Sequence, residues 1–170
     1  MPNTAEQHKY RALGIDPGLA ATGYAVIGSF SKGGEVCSAG SIKTAPRHSV
    51  PLRLQQIYRE MSTLIETWLP QLIVVEDVYV LDKFPKAAIQ LGEVRGVIYL
   101  AAQERAVEIL SIRPTVVKSC LAGNGRATKQ QVSRSVKRVL GLSREITPDH
   151  ASDAAALALI GMSRKGFISW

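Results

Sequence analysis

Two carboxylates stand at the ends of apolar runs in this sequence, and such positions often carry chemistry. Asp16 ends the run Ala-Leu-Gly-Ile and is followed at once by Pro-Gly, which interrupts both strand pairing and helix. Glu76 ends the run Leu-Ile-Val-Val, a pattern typical of a parallel strand buried on both faces. Because the carboxyl ends of strands open into crevices in α/β folds, we expect both side chains to lie in a reaction or ligand site.

Further polar groups begin the last apolar segment of the chain. The stretch Thr-Pro-Asp-His-Ala-Ser-Asp at 147–153 precedes a run of Ala, Leu and Ile that predicts a buried helix. His150 and Asp153 are spaced i and i+3 and therefore share a face of that helix. Acids in a first turn also interact favourably with the helix dipole, and this structural explanation suits Asp149 better than Asp153. We therefore treat His150 and Asp153 as candidate site residues.

Three carboxylates and an imidazole that met in one pocket would repel one another unless a cation joined them. Hard divalent ions prefer oxygen ligands, so Mg²⁺ is the expected ion, and Mn²⁺ is suitable where an imidazole takes part. Two such ions ~4 Å apart can activate a water molecule and stabilise the leaving oxygen in an in-line attack on a phosphodiester. Acids at strand ends are common, so a purely structural role for them stays open.

The positive charge is concentrated in one segment. Of the 21 basic residues, seven lie between Ser111 and Gly141 with no acidic residue among them; the other 14 match the 14 acidic residues, so this segment accounts for the net charge of +7. Clustered Lys and Arg gain free energy by releasing counterions from a phosphate backbone. The segment favours a nucleic acid partner, and a merely solvated helix face is the alternative.

Length and composition favour one domain. With 170 residues, 46% of them hydrophobic, the chain can bury one core but is short for two. We expect a domain at 11–163, a flexible arm at 1–10 and a tail at 164–170. No apolar run approaches the roughly 20 residues of a membrane span and the first residues lack the apolar centre of a signal peptide, so we expect a cytoplasmic protein with no membrane partner. The two cysteines are far apart and predict neither a zinc site nor a disulfide.

The spacing of apolar residues predicts the elements that must position these groups. Thr128 and Gln131 form a capping box for a helix, and Thr147 is the expected N-cap of the last helix, with Pro148 at its first position. The predicted strands are 11–16, 22–30, 35–44, 72–75 and 107–112, and the predicted helices start at Pro51, Pro85, Pro114, after Thr128 and at Pro148.

Gly92 and Gly96 lie four residues apart in the helix predicted at 85–105. Each costs about 1 kcal/mol relative to alanine, which indicates a packing reason for keeping both on one face. Close approach to the sheet or to a second subunit is one explanation, and ordinary packing within the chain is the other.

Several short motifs resemble, in order and spacing, those of the RuvC-type Holliday junction resolvases. The resemblance runs from about Leu13 to Ile160. It is carried by Gly-Ile-Asp-Pro-Gly with Thr-Gly-Tyr at 14–24, Val-Glu-Asp-Val-Tyr at 75–79, Leu-Gly-Glu-Val-Arg-Gly at 91–96 and His-Ala-Ser-Asp-Ala at 150–154.

The resemblance implies an α/β, RNase H-like fold with a mixed five-stranded sheet flanked by helices. It also implies a homodimer that binds four-way junction DNA and nicks two opposed strands symmetrically in recombination and DNA repair, using Mg²⁺ or Mn²⁺, with two ions per active site. The branch-migration proteins RuvA and RuvB are then the expected partners.

By position, Asp16, Glu76 and Asp153 match acidic catalytic and metal-binding residues of that family. His150 falls where many members have aspartate, and offers a nitrogen ligand or a proton-transfer group instead. Residues that match DNA-contacting or active-site positions of the family are Tyr79, which stands where members stack an aromatic on unpaired bases, and the basic residues Lys118 and Lys129. Arg126, in the Gly-rich loop, is a further candidate for a contact with the DNA backbone.

The sequence features are also compatible with, or partly resemble, three functions other than junction resolution. A non-cleaving module that binds branched DNA would use the basic segment and leave the acids structural. A related nuclease would act on RNA hybrids or simple duplexes. An actin-like phosphotransferase also has an Asp-x-Gly pattern after its first strand, but it needs two duplicated subdomains, for which 170 residues without an internal repeat are too few.

Overall fold

The computed structural model describes residues 10–30, 33–77 and 85–170. The predicted succession of strands and helices is confirmed, with boundaries shifted by one or two residues in several elements. In chain order the elements are β1 (Arg11–Asp16), β2 (Ala21–Phe30), β3 (Gly33–Lys43), α1 (Val50–Trp68), β4 (Leu72–Glu76), α2 (Pro85–Gln103), β5 (Glu108–Ile112), α3 (Pro114–Ala122), α4 (Lys129–Val139) and α5 (Asp149–Arg164).

The five strands form one mixed sheet in the order β3-β2-β1-β4-β5, as expected. The β1–β2 and β2–β3 pairs are antiparallel, whereas β1–β4 and β4–β5 are parallel. In the β1–β4 register Ile15 lies opposite Val75, one residue before the end of each strand. Because the two strands run in the same direction, the sheet brings Asp16 and Glu76 to the same edge.

Helix α5 packs unusually close to one face of the sheet, and two glycines allow it. A Cβ atom at Gly14 would lie 1.9 Å from the backbone oxygen of Ala154, and one at Gly23 would lie 2.1 Å from that of His150. No side chain fits at such distances, so both positions require glycine. The first turns of α5, with His150 and Asp153, are thereby held against the strand that carries Asp16.

Helices α1 and α2 cover the opposite face of the sheet. Buried residues of these helices, such as Ile57, Met61 and Ile98, pack with Leu13 and Ile73 from the strands. The two glycines of α2 do not take part in this packing: outside the neighbouring part of its own helix, a Cβ atom at either Gly92 or Gly96 would meet no described atom within 4 Å. Close approach to the sheet is therefore the wrong explanation for this pair.

The cap predicted at the start of α4 is present, whereas the cap predicted at the start of α5 is not. The capping box of α4 is confirmed, because the Thr128 hydroxyl accepts from the Gln131 backbone N–H and the Gln131 side chain accepts from that of Thr128. The N-cap predicted at Thr147 is wrong: α5 begins at Asp149 with Pro148 as its N-cap and no side-chain cap. The close contact of α5 with the sheet makes a capping hydroxyl unnecessary, since tertiary packing provides most helix stability.

The two ends of the described chain meet. The Tyr10 ring stacks on the Phe167 ring with 3.8 Å between centroids, and Ile168 is buried. Apart from Tyr10, the arm predicted at 1–10 lies outside the described residues. Over the ranges that the structure describes, no helix is both long and apolar enough to cross a membrane.

Candidate active site

A cavity of about 240 Å³ opens at the edge of the sheet where β1 and β4 end. It is lined by all three of the predicted carboxylates and by two of the predicted basic residues: Asp16, Glu76, Asp153, Lys118 and Lys129. The acids come from two parallel strands and one helix, and the lysines from α3 and α4. Residues spread over most of the sequence thus meet in one place.

His150 contacts Asp16 directly. Its Nδ1 atom lies 2.6 Å from Oδ2 of Asp16, which is largely buried, whereas the imidazole is 48% exposed. An ionised carboxylate can only accept, so Nδ1–H donates to an ionised Asp16. The other ring nitrogen of a neutral His150 then has a free lone pair with which it can bind a cation or take up a proton.

Lys129 is paired with the third carboxylate. Its Nζ atom donates to Oδ2 of Asp153 at 2.9 Å, and this hydrogen bond raises the pKa of Lys129. Lys129 is the first residue of α4, directly after the capping residue Thr128. The capping box therefore fixes the backbone from which this ammonium group reaches the cavity.

Glu76 and Asp16 both hold a proton more tightly than ordinary carboxyl groups. The pKa of Glu76 is raised to about 7, first by burial and then by the nearby charges of Asp16 and Asp153, while the two lysines lower it. Burial also raises the pKa of Asp16, although the hydrogen bond from His150 lowers it. The cavity therefore concentrates negative charge in poorly solvated surroundings, a condition that favours binding of a cation.

This constellation lies in a chain that the family model for crossover junction endodeoxyribonuclease RuvC matches over residues 12–161. The chain belongs to the RuvC family. Among curated members, RuvC of Caldicellulosiruptor saccharolyticus is 39% identical over 151 residues, which cover 88% of this chain and 90% of that protein. The family is one of DNA nucleases, so the resemblance seen in the motifs is confirmed.

Solved structures of RuvC agree with the fold. The structure of Thermus thermophilus RuvC matches with a TM-score of 0.84 at 28% identity, over 92% of this chain and 97% of that one. Thermus thermophilus RuvC in complex with a Holliday junction substrate matches with a TM-score of 0.79 at 26% identity, over 93% and 97%. The expected RNase H-like architecture of this RuvC-family chain is confirmed.

The donor set of this RuvC-family site fits a hard divalent cation in chemistry and charge. Its candidate ligands are carboxylate oxygens and one imidazole nitrogen, the groups that Mg²⁺ and Mn²⁺ accept. Within the described residues, however, no three His, Cys, Asp or Glu side chains are arranged so that they could hold a metal ion. Asp16 and Asp153 instead use one oxygen each for His150 and Lys129.

The residues expected to contact DNA fall into three groups. Lys118 and Lys129 line the cavity. Arg126 is exposed in the loop between α3 and α4, where its backbone N–H donates to Oδ1 of Asn124 at 2.9 Å, and it does not line the cavity. Tyr79 lies outside the described residues. Their roles in DNA binding stay predictions.

One polar cluster beside the site was missed by sequence reasoning. Asp77, which follows Glu76 in the chain, forms an ion pair with Arg95 of α2, and Arg95 in turn contacts Tyr99 and Ser111. The one available signal was the position of Arg95 inside a family-like motif. Nothing in the residue spacing indicated its partners, because they come from separate elements.

Proposed function

We propose that this chain resolves Holliday junctions by metal-dependent, symmetric nicking of two opposed strands, in recombination and DNA repair. The observation that carries the proposal is the convergence of Asp16, Glu76 and Asp153 with Lys118 and Lys129 in one cavity. The match over nearly all of both chains to a Thermus RuvC solved with a Holliday junction substrate supports the choice of a four-way DNA junction.

In this proposal Asp16, Glu76, His150 and Asp153 hold two Mg²⁺ or Mn²⁺ ions per active site. Such ions supply an activated water and charge stabilisation at the leaving oxygen. The raised pKa values of Asp16 and Glu76 support this assignment, because burial and the other carboxylates leave both groups poorly solvated, and a bound cation would compensate for this. Lys129 gives up its contact with Asp153 when the site is filled, whereas Nδ1–H of His150 keeps its contact with Asp16 and the other ring nitrogen is left for the cation.

The protein's own cationic and basic groups then act on the phosphodiester. Lys118 and Lys129 place ammonium groups in the cavity, where they stabilise charge that develops on the scissile phosphate. His150 is half-exposed, and the ring nitrogen that faces away from Asp16 has one lone pair, so where it does not bind a cation it takes or gives a proton instead. Arg126 contacts the DNA backbone outside the cavity, and Tyr79 stacks on unpaired bases at the junction centre.

We also propose that the chain acts as a homodimer through α2. Ile89 and Leu100 are 65% and 53% exposed, and Gly92 and Gly96 lie between them with open space above. These four residues follow helical spacing and so lie on one exposed face, on which two glycines stand between two apolar side chains. A self-complementary face of this kind suits a two-fold dimer, which provides the two active sites that paired nicking requires.

The remaining assignments follow from membership of the family. Residues 11–163 are proposed as the nuclease domain, with 1–10 and 164–170 as flanking segments. The basic segment between Ser111 and Gly141 is proposed to follow the arms of the junction. We expect the protein to work in the cytoplasm with RuvA and RuvB, which move the branch point that it cleaves.

The decisive experiment is cleavage of a mobile four-way junction compared with matched duplex and fork DNA. Reactions contain Mg²⁺, Mn²⁺ or chelator, and compare the wild type with Asp16→Asn and with Glu60→Gln, a control on the exposed side of α1. We expect paired nicks confined to the junction, dependent on the metal, lost in Asp16→Asn and unchanged in Glu60→Gln.

Each alternative function gives a different result in that experiment. Tight junction binding without cleavage in any metal, unchanged in Asp16→Asn, would identify a non-cleaving module of the same fold. Equal cleavage of duplex DNA, or preferred cleavage of an RNA–DNA hybrid, would identify a related nuclease of another specificity. Either result would overturn the proposal.

A further inference from the structure

The end of β4 is clamped by an arginine from α2. The Nη1 atom of Arg95 lies 3.1 Å from Oδ1 of Asp77, the residue that follows Glu76. The Nε and Nη2 atoms donate to the hydroxyl of Tyr99, the Nε contact at 3.1 Å. That hydroxyl lies 3.1 Å from Oγ of Ser111 on β5. One guanidinium group thus joins α2 to the ends of two neighbouring strands.

Asp77 is held twice, through its backbone and through its side chain. Its backbone N–H donates to the Ile112 oxygen of β5 at 2.8 Å, and its carboxylate accepts from Arg95. The β4–β5 ladder ends at the pair of Glu76 and Ile112, so these are the contacts that hold the chain just beyond the catalytic carboxylate. Among the contacts within residues 10–30, 33–77 and 85–170, the backbone hydrogen bond to Ile112 would be left to restrain Asp77 if Arg95 were lost.

Arg95 is itself well fixed. Its side chain is 16% exposed, and the neighbouring α2 residues Val94 and Ile98 are fully buried against the sheet. The ring of Tyr99 lies under the guanidinium carbon, 5.3 Å from centroid to Cζ. A planar guanidinium with several fixed partners restrains position in more than one direction, which a lysine ammonium cannot do.

The free energy involved is small, but the geometry is sensitive. Partly exposed ion pairs contribute little to global stability, so loss of Arg95 is not expected to unfold the domain. A misplacement of about 1 Å in a catalytic constellation can nevertheless cost about 10²-fold in rate. A clamp one residue from Glu76 therefore matters for alignment more than for folding.

We propose that Arg95 is a positioning residue: through Asp77, and braced by Tyr99 and Ser111, it holds the Glu76 carboxylate in register with Asp16 and Asp153. The proposal rests on the nuclease function given above. It assigns to Arg95 no contact with DNA and none with the cations.

The test compares Arg95→Ala, Arg95→Lys and Tyr99→Phe with the control Arg105→Ala. Arg105 belongs to a different ion pair of the same domain, with Glu66 at 2.5 Å. Junction cleavage gives kcat and KM, calorimetry gives Mn²⁺ affinity in the absence of DNA, and thermal melting reports the fold. We expect Arg95→Ala to lower kcat by about 10- to 100-fold and to weaken Mn²⁺ binding, with KM and melting temperature close to those of the control.

The milder variants sharpen this expectation. Lysine retains the charge opposite Asp77 but not the fork that reaches Tyr99, so Arg95→Lys should recover part of kcat. Tyr99→Phe should also lower kcat, but by less than Arg95→Ala does. Because the two residues of the ion pair act as one unit, the double variant Asp77→Ala/Arg95→Ala should have a kcat no lower than that of Arg95→Ala alone.

Three results would overturn the proposal. A kcat and Mn²⁺ affinity equal to those of Arg105→Ala would show that the clamp has no effect on the site. A higher KM at unchanged kcat would show that Arg95 binds DNA instead. A large fall in melting temperature would show a structural role. If the wild type cleaves no junction, the proposed function fails, whereas the Mn²⁺ affinities still decide the role of Arg95.

Discussion

Oδ2 of Asp16 lies 2.6 Å from Nδ1 of His150, although the two residues are 134 positions apart in the sequence. The carboxylate ends the first strand, and the imidazole belongs to the first turn of the last helix. The contact joins the most buried acid of the cavity to a base that is open to solvent. It also places a nitrogen donor among the carboxylates of the cavity.

The first prediction concerns metal preference. Nitrogen ligands suit Mn²⁺ better than Mg²⁺. His150→Asp should therefore keep junction cleavage but raise the kcat/KM measured in Mg²⁺ relative to the kcat/KM measured in Mn²⁺. His150→Ala should lower cleavage by about 10- to 100-fold in both metals, since it removes a ligand and the hydrogen bond to Asp16. Steady-state cleavage in each metal measures the effect, and an unchanged metal ratio in His150→Asp would contradict it.

The second prediction concerns pH. Glu76 has a pKa of about 7, so below that pH it carries a proton that a cation must displace. We expect Mn²⁺ affinity of the DNA-free protein to rise between about pH 6 and about pH 8, and calorimetry at a series of pH values measures it. Glu76→Gln should bind Mn²⁺ more weakly and lose most of this pH dependence. An equally steep dependence in that variant would place the titrating group elsewhere.

The third prediction concerns stability without metal. The folded pKa of Glu76, about 7, lies above its ordinary value of 4.5, so folding favours the protonated form. The contribution of Glu76 to stability is then fully present below about pH 4.5 and is lost as the pH rises through about 7. Glu76→Gln should therefore be more stable than wild type by about 1–2 kcal/mol near pH 8, after allowance for solvent screening, and nearly equal near pH 4. Urea unfolding in chelator tests this, and equal stabilities at both pH values would contradict it.

The fourth prediction separates two kinds of glycine. A Cβ atom at Gly96 would meet no described atom outside its own stretch of helix within 4 Å, so we expect Gly96→Leu to keep the monomer folded, and the better helix propensity favours it by up to about 1 kcal/mol. The same change should break the proposed dimer, which light scattering would detect. In contrast, Gly14→Ala puts a Cβ atom 1.9 Å from the Ala154 oxygen and should unfold the domain. A dimeric Gly96→Leu protein would exclude this face as the interface.

Local sequence determined much of the architecture. An apolar run that ends in an acid and a Pro-Gly pair predicts β1 and the place of Asp16 at its end, because strand length and turn chemistry are local properties. The capping box at Thr128 and Gln131 is local for the same reason. Ordered motifs then gave the family, and with it the sheet and the expected catalytic acids.

Contacts between distant segments were decided by tertiary structure. The order β3-β2-β1-β4-β5 brings Asp16 beside Glu76, and glycines at positions 14 and 23 admit α5 closely enough for His150 to reach Asp16. The same packing holds the start of α5, which has no side-chain cap although one was predicted at Thr147. It also brought Arg95 of α2 together with Asp77, which follows β4, and with Ser111 of β5, and it left Gly92 and Gly96 of α2 exposed.

The difference has one physical cause. Helix caps, turns and strand ends depend on the dihedral preferences and hydrogen bonds of a few neighbouring residues, which can be deduced from the sequence alone. The pairing of Arg95 with Asp77, and of His150 with Asp16, depends on the register and close packing of whole elements, which arise when the chain buries its apolar surface as a unit.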